Sequence, residues 1–496
     1  MSLTLTASRL SHDHLRRLPP DIGGPGYDRA SVTPGIVHLG IGAFHRAHQA
    51  VYVEHVLGRG DAGWGIVAAS LRSPDTRDAL TPQDCLYTVA VRSRDAEALR
   101  VIGAIQRILV APEDPAALLA AMADPRIRIV TLTVTEKGYC HDPATGELNE
   151  DHPDIRADLA TPGRPRTASG YLVEALRLRR AAGHKPFTVL TCDNLPANGH
   201  TVRRVVSRHA ALRDPDLGAF VASEVAFPST MVDRIVPATT DADRDSVSSR
   251  LATRDAWPVI TEPFSQWVIE DRFTLGRPRF EDCGAELVSD VAPYETMKLR
   301  LLNGSHSTLA YLGYLAGHET IADAMADEPF ARLVTDLMTQ ETGPTLSLPA
   351  GADVQAYQRS LIERFRNPAL RHRTWQIAMD GSQKLPQRLL AAARERIARD
   401  APIPRIALGV AAWMRYVTGI DEKGGPIEVR DPLGTRLRAL ADAAGPDAAR
   451  LSAALFSVRE VFGDDLPRDE RFTGPVAAAL VRLFALGARE TVRRTN

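Results

Sequence analysis

Short β-like runs alternate with helical stretches through the first half of the chain, and this alternation constrains the fold more than any other feature. Residues 35–42 (GIVHLGIG), 64–72 (WGIVAASLR) and 127–136 (IRIVTLTVTE) have the pattern of strands, and 100–110 is a possible further one. A helical stretch followed by another strand occupies 171–194. Strands that alternate with helices form βαβ units. The sequence therefore predicts an α/β fold with a parallel sheet covered by helices on both faces.

Helical periodicity dominates after about residue 290. Segments such as EPFARLVTDLMTQ and LPQRLLAAARERIARD place apolar residues at helical spacing, and few β-branched runs remain. A chain of 496 residues is also too long for one ordinary hydrophobic core. We therefore expect an α/β domain over residues 1–288 and a mainly α-helical domain over 289–496.

The charge balance and the cysteines exclude several classes of protein. Lys plus Arg number 60 and Asp plus Glu number 61, so nothing in the net charge favours binding to nucleic acid or to an anionic membrane. The four cysteines lie far apart without CxxC spacing, which argues against a disulfide framework or structural zinc. No apolar run approaches the ~18–20 residues of a membrane span. We expect a cytoplasmic protein, either a monomer or a small homo-oligomer.

A glycine turn follows the first predicted strand. Two glycines let the backbone turn tightly and approach a pyrophosphate at a helix N-terminus. His45 replaces the third glycine of the usual fingerprint, so an ordinary glycine-rich turn explains these residues equally well. Asp75, after the second strand, is in the right topological place to bind an adenosine ribose, and a solvated turn aspartate is the alternative. The candidate cofactor turn consists of Gly40, Ile41, Gly42, Ala43 and Phe44.

A second candidate site lies in a predicted helix after residue 290. Lys298, Asn303 and His306 form the pattern K-x4-N-x2-H. At 3.6 residues per turn, Asn303 lies about 140° and His306 about 80° around the helix from Lys298, so all three can share one face. A desolvated lysine can serve as a general acid or base, and amides can donate to a carbonyl oxygen. A polar helix face explains the spacing alone at least as well.

Seven segments together carry a resemblance that covers nearly the whole chain. They resemble the mannitol dehydrogenase family, the polyol-specific long-chain dehydrogenases. The resemblance implies a Rossmann-like N-terminal domain, a helical C-terminal domain, NAD as cofactor and hydride transfer without a metal. The segments are IVHLGIGAFHRAHQ, TVTEKGYC, CDNLPANG, FPSTMVDRI, EPFSQWVIED, MKLRLLNGSH and DGSQKLP.

The resemblance also implies roles for individual residues. Lys298 matches the catalytic lysine, with Asn303 and His306 in the same motif, and Asn194 matches an asparagine that binds the reacting oxygen. Gly40, Gly42 and Phe44 match the cofactor turn. Three acidic residues match an active-site acid, an acid that selects NAD through its ribose hydroxyls, and a glutamate near the nicotinamide: these are Asp233, Asp75 and Glu136. Pro74 stands where mannitol dehydrogenases can carry a glutamate before the ribose-binding acid.

Within the family, the segments TMVDRIVPA, ETIAD and LGVAAWMRY most resemble members that interconvert D-fructuronate and D-mannonate in hexuronate breakdown, and this resemblance implies the same reaction here. Gln376 stands where mannitol dehydrogenases carry a substrate-contacting arginine, and Arg371, His372 and Arg373 form a basic run just before it. A uronate needs a cation for its carboxylate, whereas a polyol needs only hydroxyl partners. The basic run therefore favours an acidic sugar, while a solvated helix end remains an alternative. Fructose/mannitol and tagaturonate are the alternative substrates. A remote alternative function is that of a non-catalytic NAD-binding regulatory protein.

Overall fold

A parallel sheet forms the centre of the first of two structural units, which span Met1–Ala292 and Pro293–Asn496. The structure is a computed structural model and describes residues 8–142, 145–349 and 351–495. The strands, all in the first unit, are β1 (Pro34–Leu39), β2 (Gly65–Ser70), β3 (Tyr87–Arg92), β4 (Glu97–Ile102), β5 (Ile105–Val110), β6 (Ile129–Leu132), β7 (Thr188–Thr191), β8 (Thr230–Asp233), β9 (Val259–Thr261), β10 (Gln266–Glu270) and β11 (Glu286–Val288). The helices of this unit are α1 (Ala43–Ala47), α2 (Gln49–Gly58), α3 (Asp75–Leu80), α4 (Pro115–Ala123), α5 (Pro153–Ala160), α6 (Ala168–Ala181), α7 (Asn198–Arg213), α8 (Pro215–Glu224) and α9 (Asp241–Leu251).

The central sheet has the strand order β5-β2-β1-β6-β7, and every neighbouring pair is parallel. Its carboxyl ends therefore meet at one edge, where ligands of such sheets bind. Two smaller sheets, β4-β3-β9 and β11-β10-β8, complete the unit. The parallel sheet predicted from the alternating pattern is confirmed.

The predicted strand over 100–110 is wrong in one respect, because the run contains two strands in different sheets. β4 pairs antiparallel with β3, whereas β5 joins the edge of the parallel sheet beside β2. The chain turns between them at Gly103, whose backbone N–H donates to the Glu54 carboxylate at 2.8 Å. A side chain at Gly103 would lie 2.7 Å from Pro25 Cγ, so glycine is needed for this close approach. An apolar run cannot reveal such a change of sheet by its pattern alone.

Both faces of the parallel sheet are buried in hydrophobic cores. Val37 and Leu39 of β1 pack in one cluster with apolar residues of α4, α6 and α7. Ile36 of the same strand packs in a second cluster, with residues of β2 and α2. Alternate residues of one strand thus enter opposite cores, which explains why these strands are almost continuously apolar.

Helices make up nearly all regular structure of the second unit within its described residues, as predicted. Three segments are π-helices, labelled here π1 (Lys298–Asn303), π2 (Leu337–Thr342) and π3 (Pro386–Leu390). The α-helices are α10 (Ala292–Met297), α11 (Gly304–Leu315), α12 (Ile321–Ala326), α13 (Glu328–Asp336), α14 (Val354–Phe365), α15 (Thr374–Ile377), α16 (Gly381–Leu385), α17 (Ala391–Ala398), α18 (Pro404–Tyr416), α19 (Gly434–Ala444), α20 (Ala448–Phe456), α21 (Arg459–Phe462) and α22 (Glu470–Thr495).

Helix α22 is long and apolar enough to cross a membrane by length and composition alone. It contains Pro475 and a kink at Gly487, and it packs along α18. Phe472, Leu480 and Leu483 are buried within the unit. One helix of this length and composition is weak evidence for a membrane span.

The cysteines and metal-type side chains of the described chain form no cluster. All four cysteines are free thiols, and Cys85, Cys140 and Cys192 are buried. Burial raises the pKa of the Cys85 and Cys140 thiols to about 11. Across residues 8–142, 145–349 and 351–495, no group of three or more His, Cys, Asp or Glu side chains is arranged to hold a metal ion.

Candidate active site

The glycine turn after β1 brings the backbone unusually close to a neighbouring strand end. Gly40 has φ +98°, and a Cβ at this position would lie 2.2 Å from the Thr133 carbonyl oxygen. The Gly42 N–H donates to the Gly40 carbonyl at 2.6 Å, and α1 begins at Ala43. Any side chain at Gly40 would therefore clash with the end of β6. Steric necessity explains this glycine.

A cavity of about 640 Å³ opens at the carboxyl ends of β1, β2 and β6. Gly40, Ile41 and Gly42 line it, together with residues 70–73 after β2 and 133–135 after β6. A second cavity, of about 570 Å³, shares Leu71 and Arg166 with the first. The two adjoining spaces lie where open parallel sheets bind dinucleotides. Ala43 and Phe44 follow the turn at the start of α1, where the Phe44 ring stacks on His48 at 5.0 Å.

The two acids predicted to bind the cofactor are both exposed in the first unit. Asp75 is the first residue of α3, and the Ser73 hydroxyl donates to its carboxylate at 2.9 Å. Arg72, Ser73 and Thr76 around it line the larger cavity. Glu136 begins a 3-10 turn directly after the cavity-lining residue Thr135. Each acid is thus the chain neighbour of a residue that lines the cavity, and each follows a strand of the parallel sheet.

Asn194 and Asp233 follow two further strands of the first unit. Asn194 is exposed just beyond the end of β7, the strand next to β6. Asp233 is the last residue of β8, where it pairs with Gln266 of β10 and is buried. Asn198, at the start of α7, joins these two regions because its amide donates to the carbonyls of Asp193 and Thr230.

Lys298 and Asn303 lie in π1 and not in the α-helix that their spacing predicts. The Gly304 N–H donates to the Leu299 carbonyl five residues earlier, the hydrogen bond that defines a π-helix. In a π-helix, residues five positions apart lie near the same side of the axis. The angle around the axis between Lys298 and Asn303 is therefore smaller than the 140° expected for an α-helix. Lys298 and His306 are both buried. π-Helical turns are rare in proteins, and those that occur are frequently found at functional sites.

His306 is held in its neutral form by its surroundings. Burial lowers the pKa of His306 well below its usual range, and electrostatic interactions with His372, Arg388 and Arg364 lower it further. The rings of His306 and His372 meet edge to face at 5.0 Å, and Phe365 packs on His306 at 4.6 Å. Burial likewise lowers the pKa of His372 to about 4. An imidazole in this state can donate or accept a hydrogen bond without carrying charge.

The predicted basic run splits between the interior and the surface of the second unit. His372 is the member whose ring contacts His306. Arg371 and Arg373 are exposed, and Arg373 lies 3.9 Å from the Glu319 carboxylate. Gln376, in α15, is also exposed. Among these residues, the structure therefore brings His372 alone into contact with the K-x4-N-x2-H motif.

Arg388 lies close to the motif, although no pattern in the sequence predicts it. It lies in π3, which packs against π1. Its guanidinium donates to the Ser307 hydroxyl at 3.1 Å and reaches the Asn303 carbonyl at 3.5 Å. Arg300 of π1 instead pairs with Glu395 and donates to the Thr345 carbonyl. No spacing in the sequence links Arg388 to the motif, because packing between distant π-helical turns makes the contact.

The first unit has the features of a dinucleotide-binding domain. Its parallel strand order, the glycine turn after the central β1 and the cavity at the carboxyl ends are those of a Rossmann fold. These features define a dinucleotide-binding protein. Together with a helical unit that carries the buried Lys298, they indicate the class of two-domain dehydrogenases.

Comparison with known proteins identifies the family. Residues 34–282 match the mannitol dehydrogenase Rossmann domain, and residues 290–484 match the mannitol dehydrogenase C-terminal domain. This chain belongs to the mannitol dehydrogenase family of oxidoreductases, which act on CH–OH groups. The predicted family, the Rossmann-like N-terminal domain and the helical C-terminal domain are thereby confirmed.

Three relatives illustrate the similarity. The D-mannonate oxidoreductase of Escherichia coli K12 is 48% identical over 95% of this chain and 97% of its own length. A mannitol 2-dehydrogenase of Aspergillus fumigatus is 42% identical over 94% of each chain. The solved ternary complex of Pseudomonas fluorescens mannitol 2-dehydrogenase with NAD and D-mannitol has a TM-score of 0.87 and 39% identity, covering 98% of this chain and 99% of that one.

Proposed function

We propose that this protein is an NAD-dependent oxidoreductase that reduces D-fructuronate to D-mannonate, reversibly and without a metal. The observation that carries the choice of an acidic sugar is the positive charge around His306. The positive charges of Arg388 and Arg364 lower the pKa of His306. Arg388 also donates a hydrogen bond to Ser307, which lies on the same helix as His306. A guanidinium is the partner that best matches a carboxylate. The similarity to D-mannonate oxidoreductase supports the same substrate.

The residues of the first unit fit NAD. Gly40 and Gly42 line the larger cavity at the carboxyl ends of the parallel strands, which is where such folds bind a pyrophosphate. The neighbouring cavities give room for an extended dinucleotide. The carboxylate of Asp75, at the start of α3, is proposed to bind the ribose hydroxyls, and Glu136 is proposed to lie near the nicotinamide. When bound, NADH supplies a hydride to the carbonyl carbon of the substrate.

Lys298 supplies the proton in the proposed reaction. As the C5 carbonyl of fructuronate becomes an alcohol, its oxygen gains negative charge, and the Lys298 ammonium gives that oxygen a proton. The amides of Asn194 and Asn303 donate hydrogen bonds to the developing charge. Neutral His306 orients the substrate or the lysine. Asp233, His372, Gln376 and the nearby arginines Arg371, Arg373 and Arg388 are proposed to bind the substrate hydroxyls and carboxylate.

Mannitol 2-dehydrogenase activity is the second candidate function. The Pseudomonas fluorescens enzyme of this fold binds D-mannitol, and the fungal relatives are nearly as similar as the D-mannonate oxidoreductase. Tagaturonate reduction would use the same residues on an epimeric uronate. We place the activity in the cytoplasm, as expected for hexuronate breakdown.

Incubation of the purified protein with NADH and one ketose at a time tests the proposal. D-Fructuronate, D-tagaturonate and D-fructose are compared at equal concentration, and the product is identified by NMR. We expect fructuronate to be consumed fastest, with D-mannonate as product. Preferential reduction of fructose would support the second candidate, and no turnover of any ketose would favour a non-catalytic NAD-binding protein.

A further inference from the structure

We propose that Asp193, the residue before Asn194, is a positioning residue that fixes the position of the loop after β6 relative to Asn194. The proposal rests on the oxidoreductase activity of the family and not on which ketose is reduced. Asp193 is half-buried just beyond the end of β7, between the strand and Asn194. None of the roles assigned above includes it.

The Asp193 carboxylate joins the ends of two neighbouring strands. One oxygen accepts the Val134 N–H at 2.9 Å, and the other accepts the Thr135 N–H at 3.0 Å. The buried Tyr139 hydroxyl donates to the first oxygen at 2.7 Å and also lies 2.7 Å from the Thr191 hydroxyl. Three donors from the segment after β6 therefore converge on one carboxylate after β7.

The loop that Asp193 holds has a strained backbone. Thr135 has φ +65°, a conformation that a β-branched residue rarely adopts. Such a conformation persists only where surrounding contacts impose it. Hydrogen bonds to the backbone of Val134 and Thr135 are contacts of this kind. The loop residues 133–135 line the cavity, and Glu136 follows them directly.

The other side of the Asp193 backbone is tied to β8. The Asn198 amide donates to the Asp193 carbonyl at 3.0 Å and to the Thr230 carbonyl at 2.8 Å. The Thr230 N–H donates back to Oδ1 of the Asn198 side chain at 2.9 Å. The segment that carries Asn194 is thus fixed between the loop before Glu136 and the strand that ends at Asp233.

A carboxyl group matches this set of partners because both of its oxygens can accept a backbone N–H. In Asp193→Asn one oxygen becomes an NH2 group, which faces a donor and leaves it without an acceptor. We expect the loop and Asn194 to shift relative to each other. Displacements of about 1 Å at a reacting centre cost on the order of 10²-fold in rate.

Asp255 offers a matched control in the same unit. It is a buried aspartate that accepts the Thr88 N–H at 2.6 Å, the Trp257 N–H at 3.0 Å and the Gln83 amide at 2.8 Å. None of these donors is among the residues that line the two cavities. Asp255→Asn therefore removes a similar set of hydrogen bonds among residues that do not line either cavity.

The experiment measures three quantities for wild type, Asp193→Asn and Asp255→Asn. They are the thermal midpoint, the NADH dissociation constant by fluorescence, and kcat with its isotope effect from [4-²H]NADH, using whichever of the three ketoses wild type reduces. For Asp193→Asn we expect kcat per NADH-binding site to fall by about 10- to 100-fold, with a larger isotope effect. For Asp255→Asn we expect a lower midpoint with kcat and isotope effect unchanged.

Equal losses of kcat in the two variants, or a kcat of Asp193→Asn within about twofold of wild type, would overturn the proposal. Tyr139→Phe keeps both amide bonds and removes one donor, so it gives a test if Asp193→Asn does not fold. It should lower kcat by roughly 3- to 10-fold, the loss of one hydrogen bond. A wild-type protein that binds NADH but reduces no ketose would contradict the proposed function instead.

Discussion

Lys298 is the residue on which the proposed chemistry depends most. It is buried on π1 beside Asn303, in the setting that a general acid requires. We expect Lys298→Ala to lower kcat by at least ~10²-fold, the usual scale of general acid–base catalysis, while NADH binding stays nearly intact. Steady-state kinetics and NADH fluorescence titration measure both quantities. A variant that keeps most of its turnover would remove Lys298 from the mechanism.

The pH dependence of this variant follows from the state of His306. Burial and the neighbouring positive charges lower the pKa of His306, so protonation would occur only well below pH 6.5 and the imidazole stays neutral at neutral pH. An ionisation seen in the kcat profile above pH 6.5 therefore belongs to another group. We expect it to disappear in Lys298→Ala and to persist in His306→Asn.

Asp75 is the residue on which cofactor selection depends. If its carboxylate binds the ribose hydroxyls, the 2′-phosphate of NADPH would meet a negative charge and be rejected. Asp75→Ser should narrow the gap between NADH and NADPH, mainly through KM, because Arg72 and Ser73 beside the cavity remain. Kinetics with the two cofactors measure the gap. Equal use of both by wild type would show that Asp75 does not select the cofactor.

Single residues could be predicted from the sequence where their role is local. Gly40 is an example, since the turn after β1 takes a backbone φ of +98°, a conformation that favours glycine. Asp193 and Arg388 could not be predicted in this way. Val134, which donates to Asp193, lies 59 positions earlier, and Ser307 lies 81 positions before Arg388. Their partners are neighbours only after the chain has folded.

At the level of helices and strands, periodicity predicted the type of element better than its exact geometry. The helical pattern around Lys298 assumed 3.6 residues per turn, whereas π1 has a wider turn. The apolar pattern of residues 100–110 likewise did not reveal that β4 and β5 belong to different sheets. In both regions tertiary contacts, with π3 and around Gly103, determine the local backbone.

The packing of π1 on π3 can be tested at Gly304, directly after Asn303. A Cβ there would lie 2.8 Å from the Arg388 carbonyl oxygen, a backbone atom that cannot move alone. We expect Gly304→Ala to destabilise the protein by about 1–3 kcal/mol and to lower kcat by at least ~10-fold, since π1 must shift. Thermal unfolding and kinetics measure the two effects.

Gly434, at the start of α19, is the control for this substitution. A Cβ there would meet the Val429 carbonyl oxygen at 3.4 Å, an ordinary contact. Gly434→Ala should leave kcat unchanged and alter stability by no more than ~1 kcal/mol. Equal behaviour of the two alanine variants would show that the contact between π1 and π3 is not important for activity.

For the whole molecule, the family and the two-part architecture could be recognised from the sequence, but substrate choice depends on finer features. Mannitol and mannonate have nearly the same hydroxyl pattern and differ in a terminal carboxylate. The sequence drew attention to Arg371 and Arg373, which are exposed, whereas Arg388 contacts the helix that carries His306. Charge at a site depends on which side chains face it, and the linear order of residues does not show this.

A charged hydrogen bond to the carboxylate is typically worth ~1.5–3 kcal/mol. We therefore expect Arg388→Gln to narrow the preference for fructuronate over fructose by about 10-fold or more. Arg371→Ala and Arg373→Ala test the hypothesis drawn from the sequence, with kcat/KM for both ketoses as the readout. If none of the three variants changes the ratio, another group binds the carboxylate.

The ratio of kcat/KM for D-fructuronate to that for D-fructose in the wild-type protein, with NADH saturating, tests the central claim most directly. The energy of one charged hydrogen bond predicts a ratio of roughly 10 to 150 in favour of fructuronate. Comparable values for the two ketoses would contradict the assignment to a uronate substrate, while the assignment to the mannitol dehydrogenase family would stand.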